Sequence, residues 1–160
     1  MKNLNLSIIA VSTAVFLSGC STPPPQATFV PPTATIEGDY SKAVDCATNV
    51  ISMPAVGQFF QYEDAEKERF IVNYNSSVVY KPSFITLNLK MKANLRAKVE
   101  NGHIKMAVTN PSVFFEPTDY SAGGWVNVSE SSQDLVSAVE KKSASMLSNM
   151  EACITSDSEW

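Results

Sequence analysis

Histidine is nearly missing from this chain: one occurs in 160 residues, at His103. With so few imidazoles, a His-rich metal site is excluded, and the two cysteines distant from it lack the ligand spacing that zinc requires. Glycine is sparse at 6 residues, with no glycine-rich phosphate-binding loop and no Gly-x-Ser-x-Gly nucleophile elbow. No stretch is long and apolar enough to cross a bilayer, the longest being the 11 residues Leu6 to Phe16. Positive charge is short as well, with 12 Lys and Arg against 16 Asp and Glu and a net charge of −4, which argues against nucleic acid as a partner. No cofactor motif is found.

What is present begins at the N-terminus. Lys2 supplies a basic start, Leu6 to Phe16 an apolar segment, and Leu17-Ser18-Gly19-Cys20 a run of small residues ending in cysteine. Too short to span and remain, this segment has the layout of an export signal. Leu17-Ser18-Gly19-Cys20 resembles the lipobox of bacterial lipoproteins. In that family a diacylglycerol is joined to the cysteine thiol, cleavage occurs just before it, and the new amine is acylated. The resemblance implies a signal peptide over 1–19 and Cys20 as the lipidated first residue of the mature chain. Several acyl chains make a durable anchor where one is marginal. Ser21, in place of the Asp that favours inner-membrane retention in enteric bacteria, implies the outer membrane and a periplasm-facing body. Loss of Lys2 leaves 11 basic and 16 acidic residues, a net charge of −5.

Residues 20–38 read as the lipidated cysteine and a linker, since Pro23, Pro24, Pro25, Pro31 and Pro32 crowd it. A polyproline spacer of that length would hold a body up to ~50 Å from the bilayer. A domain is expected over 39–155, followed by a short tail at 156–160. Cys46 and Cys153 remain as an even pair in an oxidising compartment, where a disulfide is expected.

Asp39 or Ser41 is placed to cap a helix whose apolar stripe is Tyr40, Ala43, Val44, Ala47, Val50 and Ile51, ended by Pro54 and Gly57. Gln58 to Tyr62 and Glu68 to Tyr74 read as a hairpin around a charged turn at 63–67. Ser77 to Tyr80 either continues the second strand or forms an edge. From Ile85 to Val99 every odd position is apolar and most even ones are charged or amide-bearing. That period of two predicts a strand with one dry and one wet face, bent near Ala93. Asn101-Gly102 signals a type I′ hairpin, which sets Val99 opposite Ile104, Ala97 opposite Met106 and Leu95 opposite Val108.

Pro111 is expected to end the returning strand, Phe114 and Phe115 to pair briefly, and 116–126 to loop with Trp125 folded over the core edge. A long helix follows, with Ser131 and Asp134 at capping-box spacing. Its apolar face is Leu135, Val136, Val139, Met146, Leu147, Met150 and Ile154, and a bond from Cys153 to Cys46 would pin both helices to the dry face of the sheet.

The expected class is α+β: a two-layer antiparallel sheet with an N-terminal helix and a long C-terminal helix on one face. In element order, and around Val99-Glu100-Asn101-Gly102-His103-Ile104, the chain resembles an uncharacterised bacterial lipoprotein domain family with a TATA-binding-protein-like fold. His103-Ile104-Lys105 stands where that family often has a basic-aromatic-basic run. The fold name carries no DNA binding with it.

Three clusters carry candidate chemistry. The wet-face cations Lys90, Lys92, Arg96, Lys98 and Lys105 suit lipid phosphates, an anionic cell-wall polymer or an acidic envelope partner, or else a solvated face that discourages edge pairing. His103 opposite Glu100 is a candidate acid–base pair, and Glu63, Asp64, Glu66 and Glu68 form an acidic turn without a calcium-loop pattern. A non-enzymatic binding or envelope-assembly module is the reading these residues favour; a wall or envelope hydrolase using His103 or the 63–68 turn is the alternative.

Overall fold

The structure, a computed structural model, describes residues 25–52 and 57–156. Residues 1–19, Cys20, Pro54 and the tail from 157 lie outside the described residues. Among those described, no helix is long and apolar enough to cross a membrane.

The chain runs β1 (Gln26–Thr28), β2 (Thr33–Glu37), α1 (Tyr40–Val50), β3 (Phe60–Asp64), β4 (Arg69–Tyr80), β5 (Leu87–Glu100), β6 (His103–Phe115), β7 (Gly124–Asn127), β8 (Glu130–Ser132) and α2 (Gln133–Thr155). The main sheet is antiparallel in the order β2-β6-β5-β4-β3, and β7 shares with β2 the outer edge of β6. A separate two-stranded ribbon joins β1 to β8. This is the expected α+β arrangement, with one short and one long helix against an antiparallel sheet.

The β5–β6 hairpin sets the faces. Asn101 and Gly102 both take positive φ, 53° and 73°, as a type I′ turn demands. Val99 meets Ile104, Ala97 meets Met106 and Leu95 meets Val108, so the apolar residues share one side. All six lie in the core. The bend expected near Ala93 is a bulge: Asn110 and Pro111 of β6 together span the place opposite Ala93 of β5. Asn110 takes φ 53° there. The bulge answers why β6 does not stop at Pro111. A residue without an N–H is tolerated where the ladder is already interrupted, and its carbonyl still accepts from Val128 N at 3.0 Å. Phe114 and Phe115 therefore extend β6 and pair with Trp125 and Gly124.

Both helices cover the dry face. Asp39 caps α1 by accepting from Lys42 N at 2.9 Å, and Ala43, Cys46 and Ala47 are buried. The helix stops at Val50, ahead of Pro54. All seven residues of the expected α2 stripe are buried. Its start differs from the capping-box reading, because Ser131 and Ser132 belong to β8, the Ser132 hydroxyl is within 3.2 Å of Tyr80 Oη, and Gln133 N donates to Pro25 O at 3.0 Å. Cys46 and Cys153 form a disulfide that ties α1 to the end of α2.

The linker reading is corrected. Gln26–Thr28 pairs with β8, Thr33–Glu37 pairs along β6 from Ala107 to His103, and Phe29 is buried in the core. Prolines 31 and 32 sit between the two strands, where no ladder N–H is needed, and Pro32 O accepts from Val108 N at 3.2 Å. Gly38 then carries the chain from β2 into α1 so close to the core that a Cβ would stand 2.8 Å from Ile104 Cδ1.

The disulfide closes a separation of 107 residues, for which chain entropy allows at most about 4–5 kcal/mol. Replacing both cysteines by serine is expected to cost about 2–5 kcal/mol, read as a lower urea midpoint. Equal midpoints would contradict a structural role for the bond.

Candidate binding face of the sheet

Among the described residues, strand alternation leaves the second face of the sheet without a covering layer, and its residues fall into rows that cross the strands. One row runs Thr33, Ala107, Arg96, Ile71 and Tyr62; the next runs Thr35, Lys105, Lys98, Arg69 and Asp64. Between and along these rows lies an open groove of about 600 Å³. Its floor is apolar, from Ile71 and Ala107, and its walls are Tyr62, Arg69, Arg96, Thr33 and Thr35.

The cations of this face are not equivalent. Glu100 is clasped between Lys98 and Lys105, the latter at 2.6 Å. Those two ammonium groups, by hydrogen bond and charge, hold the Glu100 carboxyl down to about 2. Lys90 reaches Glu116 at 3.3 Å, and Lys92 lies 4.3 Å over the Trp125 ring. Arg96 makes no ion pair among the described residues and stands exposed at the groove. Arg69 donates to Tyr62 Oη at 2.8 Å and lies 3.4 Å from Asp64, while its Nε has no hydrogen-bond partner among the described residues. The expected strip of five cations is thus three partly neutralised lysines, one lysine on an aromatic ring, and one free guanidinium.

Beside the groove an amide ladder crosses the sheet. Asn94 Nδ2 donates to Gln61 Oε1 at 3.0 Å and to Asn73 Oδ1 at 3.2 Å, and Asn110 Nδ2 donates to Asn94 Oδ1 at 3.3 Å. These bonds hold the strands' outer side chains in register next to the cationic rows.

His103 stands opposite Glu100 as expected, but its Nδ1 lies 3.0 Å from Asn101 O and the Glu100 oxygens are taken by lysines. The acidic turn is dispersed. Glu63 accepts from Tyr40 Oη at 3.1 Å, an interaction that adds to burial in pushing that phenol up to about 12. Asp64 accepts from Tyr62 Oη and Lys67 N, which hold its carboxyl down to about 2. No group of three His, Cys, Asp or Glu that could hold a metal ion occurs among the described residues.

Trp125 corrects its expectation. It packs on Phe114 at 5.5 Å on the open face and is exposed, because Phe114 pairs with Lys90 on the wet side of β5. The groove residues Tyr62, Arg69, Ile71, Thr33 and Thr35 were not singled out from the sequence. Alternation in β4 places Ile71 on the open side, but only the pairing of four further strands brings it to Arg96.

No family model matches this chain, and no curated protein matches it. Its fold is shared with solved structures. A DUF4468 family protein from Bacteroides ovatus superposes with a TM-score of 0.58 at 6% identity, over 80% of this chain and 87% of that one. A TBP-like protein from Parabacteroides distasonis gives 0.56 at 7% identity, over 81% and 94%. The chain is an α+β protein of TBP-like fold.

Glu100 and Asp64 give an acid signature. Each has a folded pKa below its ordinary value, so the stability they contribute is present above about pH 4.5 and is lost as pH falls toward 2. Glu100→Gln is expected to flatten part of that decline in urea midpoints measured from pH 6 to 2. An unchanged pH profile would contradict the clasp.

Proposed function

We propose that this protein is a lipid-anchored, periplasm-facing module of the outer membrane that binds a partner through the open face of its sheet and is not an enzyme. The anchor rests on Leu17-Ser18-Gly19-Cys20. The observation that carries the binding reading is the groove beside Arg96, an exposed guanidinium without an ion pair among the described residues, set against apolar Ile71 and Ala107. A guanidinium presents a planar fork that takes a carboxylate through two parallel hydrogen bonds. The ligand class that fits is an acidic segment of an envelope protein, laid across the strands with an aliphatic or aromatic neighbour on Ile71. The hydrolase alternative lacks a supporting observation, since His103 lies beside Asn101 O while Glu63 is bonded to Tyr40 and Asp64 to Tyr62 and Lys67.

Two outcomes test this. Cys20→Ala is expected to abolish incorporation of a fatty-acid analogue in growing cells; label retained on the variant would remove the anchor. A photo-crosslinker at Ala107 in intact cells is expected to yield one discrete protein adduct, reduced at least tenfold by Arg96→Glu at equal protein level. Recovery of glycan alone, or an adduct indifferent to Arg96, would overturn the partner assignment.

A further inference from the structure

Because residues 25–37 belong to the body, only residues 21–24 separate Cys20 from its first described residue. Fully extended, that link reaches roughly 18 Å, so a lipidated Cys20 leaves the body near the bilayer surface and not on a long stalk. Where the link joins is fixed. Pro25 O accepts from Gln133 N, Gln26 pairs with Ser132, and the Ser132 hydroxyl meets Tyr80 Oη. Tyr80 is the last residue of β4 and pairs with Leu87, so the β4–β5 turn at 81–86 sits at this same end. The pairing of Lys90 with Phe114 brings the 116–123 loop there too.

This end carries most of the large apolar side chains the body leaves in water. Phe84 is fully exposed, Ile85 is 62% exposed and Val79 54%. Tyr120, at 99%, stands at the tip of the second loop, which is closed by Thr118 N to Ser121 O at 2.8 Å. Lys81 lies on the first loop with Phe84, and Trp125 lies on the strand that the second loop leads into. Large rings with a flanking lysine suit the headgroup boundary, where the apolar part is buried and the polar tip stays wet. The opposite end, with the Asn101-Gly102 turn and His103, carries charged and polar side chains instead.

We propose that the 81–86 turn and the 116–123 loop form a second membrane contact, a seat that sets Phe84 and Tyr120 into the lipid interface beside the tether. The occupant is the bilayer surface, chosen by where the tether ends and how short it is. The inference rests on the Cys20 anchor of the reading above. With this end down, the strands rise from the membrane and the groove at Arg96 faces sideways along it, open to another envelope protein.

The test uses the full chain, lipidated in a processing host and reconstituted into phosphatidylethanolamine–phosphatidylglycerol vesicles with brominated acyl chains. In a Trp125→Phe, Trp160→Phe background, Phe84→Trp and His103→Trp place one reporter at each end. Fluorescence quenching at least threefold stronger for F84W than for H103W is expected, in chains that sediment with the vesicles. Sedimentation with equal quenching at both positions would overturn the seat and leave the anchor standing. Failure to sediment would overturn the anchor, and the seat with it.

Discussion

Backbone pairing of Thr33–Glu37 against β6 is the constraint on which the rest of the architecture depends. Without it, the half of β6 from His103 to Ala107 would be an unpaired edge, with main-chain donors and acceptors open to any passing strand. With it, Thr33 and Thr35 wall the groove, and Gly38 N is held to Gly102 O at 3.0 Å. That bond starts α1 in the right place for Cys46 to reach Cys153. The same pairing also consumes the chain that would otherwise have been a stalk. One run of hydrogen bonds thus closes an edge, shapes a surface and draws residues 33–37 into the body.

The two faces of the sheet divide the labour. The dry face is covered by α1 and α2 and tied by the disulfide. The other face holds guanidinium, ammonium, amide and aromatic groups in rows set by strand register. Most of its charges are neutralised in place: Glu100 by two lysines, Asp64 by Lys67 and Arg69, Glu116 by Lys90. Exposed pairs of this kind contribute little to stability, yet they decide which charge on the face is left without a counter-ion. Arg96 is the one of the five expected cations that has neither an acidic neighbour nor a ring beneath it among the described residues.

Much of the fold was legible because single features agreed with each other. Period two from Leu87 to Val99 and the Asn101-Gly102 turn each imply the same register, and the apolar stripe of α2 matches the dry face they define. The N-terminal strands were hidden by composition. Thr33-Ala34-Thr35-Ile36-Glu37 does alternate, with Ala34 and Ile36 packed against the core, but five residues beside a cluster of prolines look like spacer. Pro111 misled for a related reason, since the bulge that tolerates it needs a partner strand to be visible. Of the candidate site, the cations of β5 and β6 could be read from alternation. Their neutralisation could not, nor could the meeting of Arg96 with Ile71, Tyr62 and β2, because these come from strands whose pairing no local pattern announces. The side taken by Trp125 follows from the same bulge, which shifts β6 by one residue before Phe114.

The most direct measurement is amide hydrogen exchange on the purified protein. The amides of Phe29 and of the paired positions of 33–37 are expected to exchange as slowly as those in the middle of β6, because they are bonded into the same body. Exchange of residues 26–37 at the rate of an open chain, with β6 otherwise protected, would contradict it.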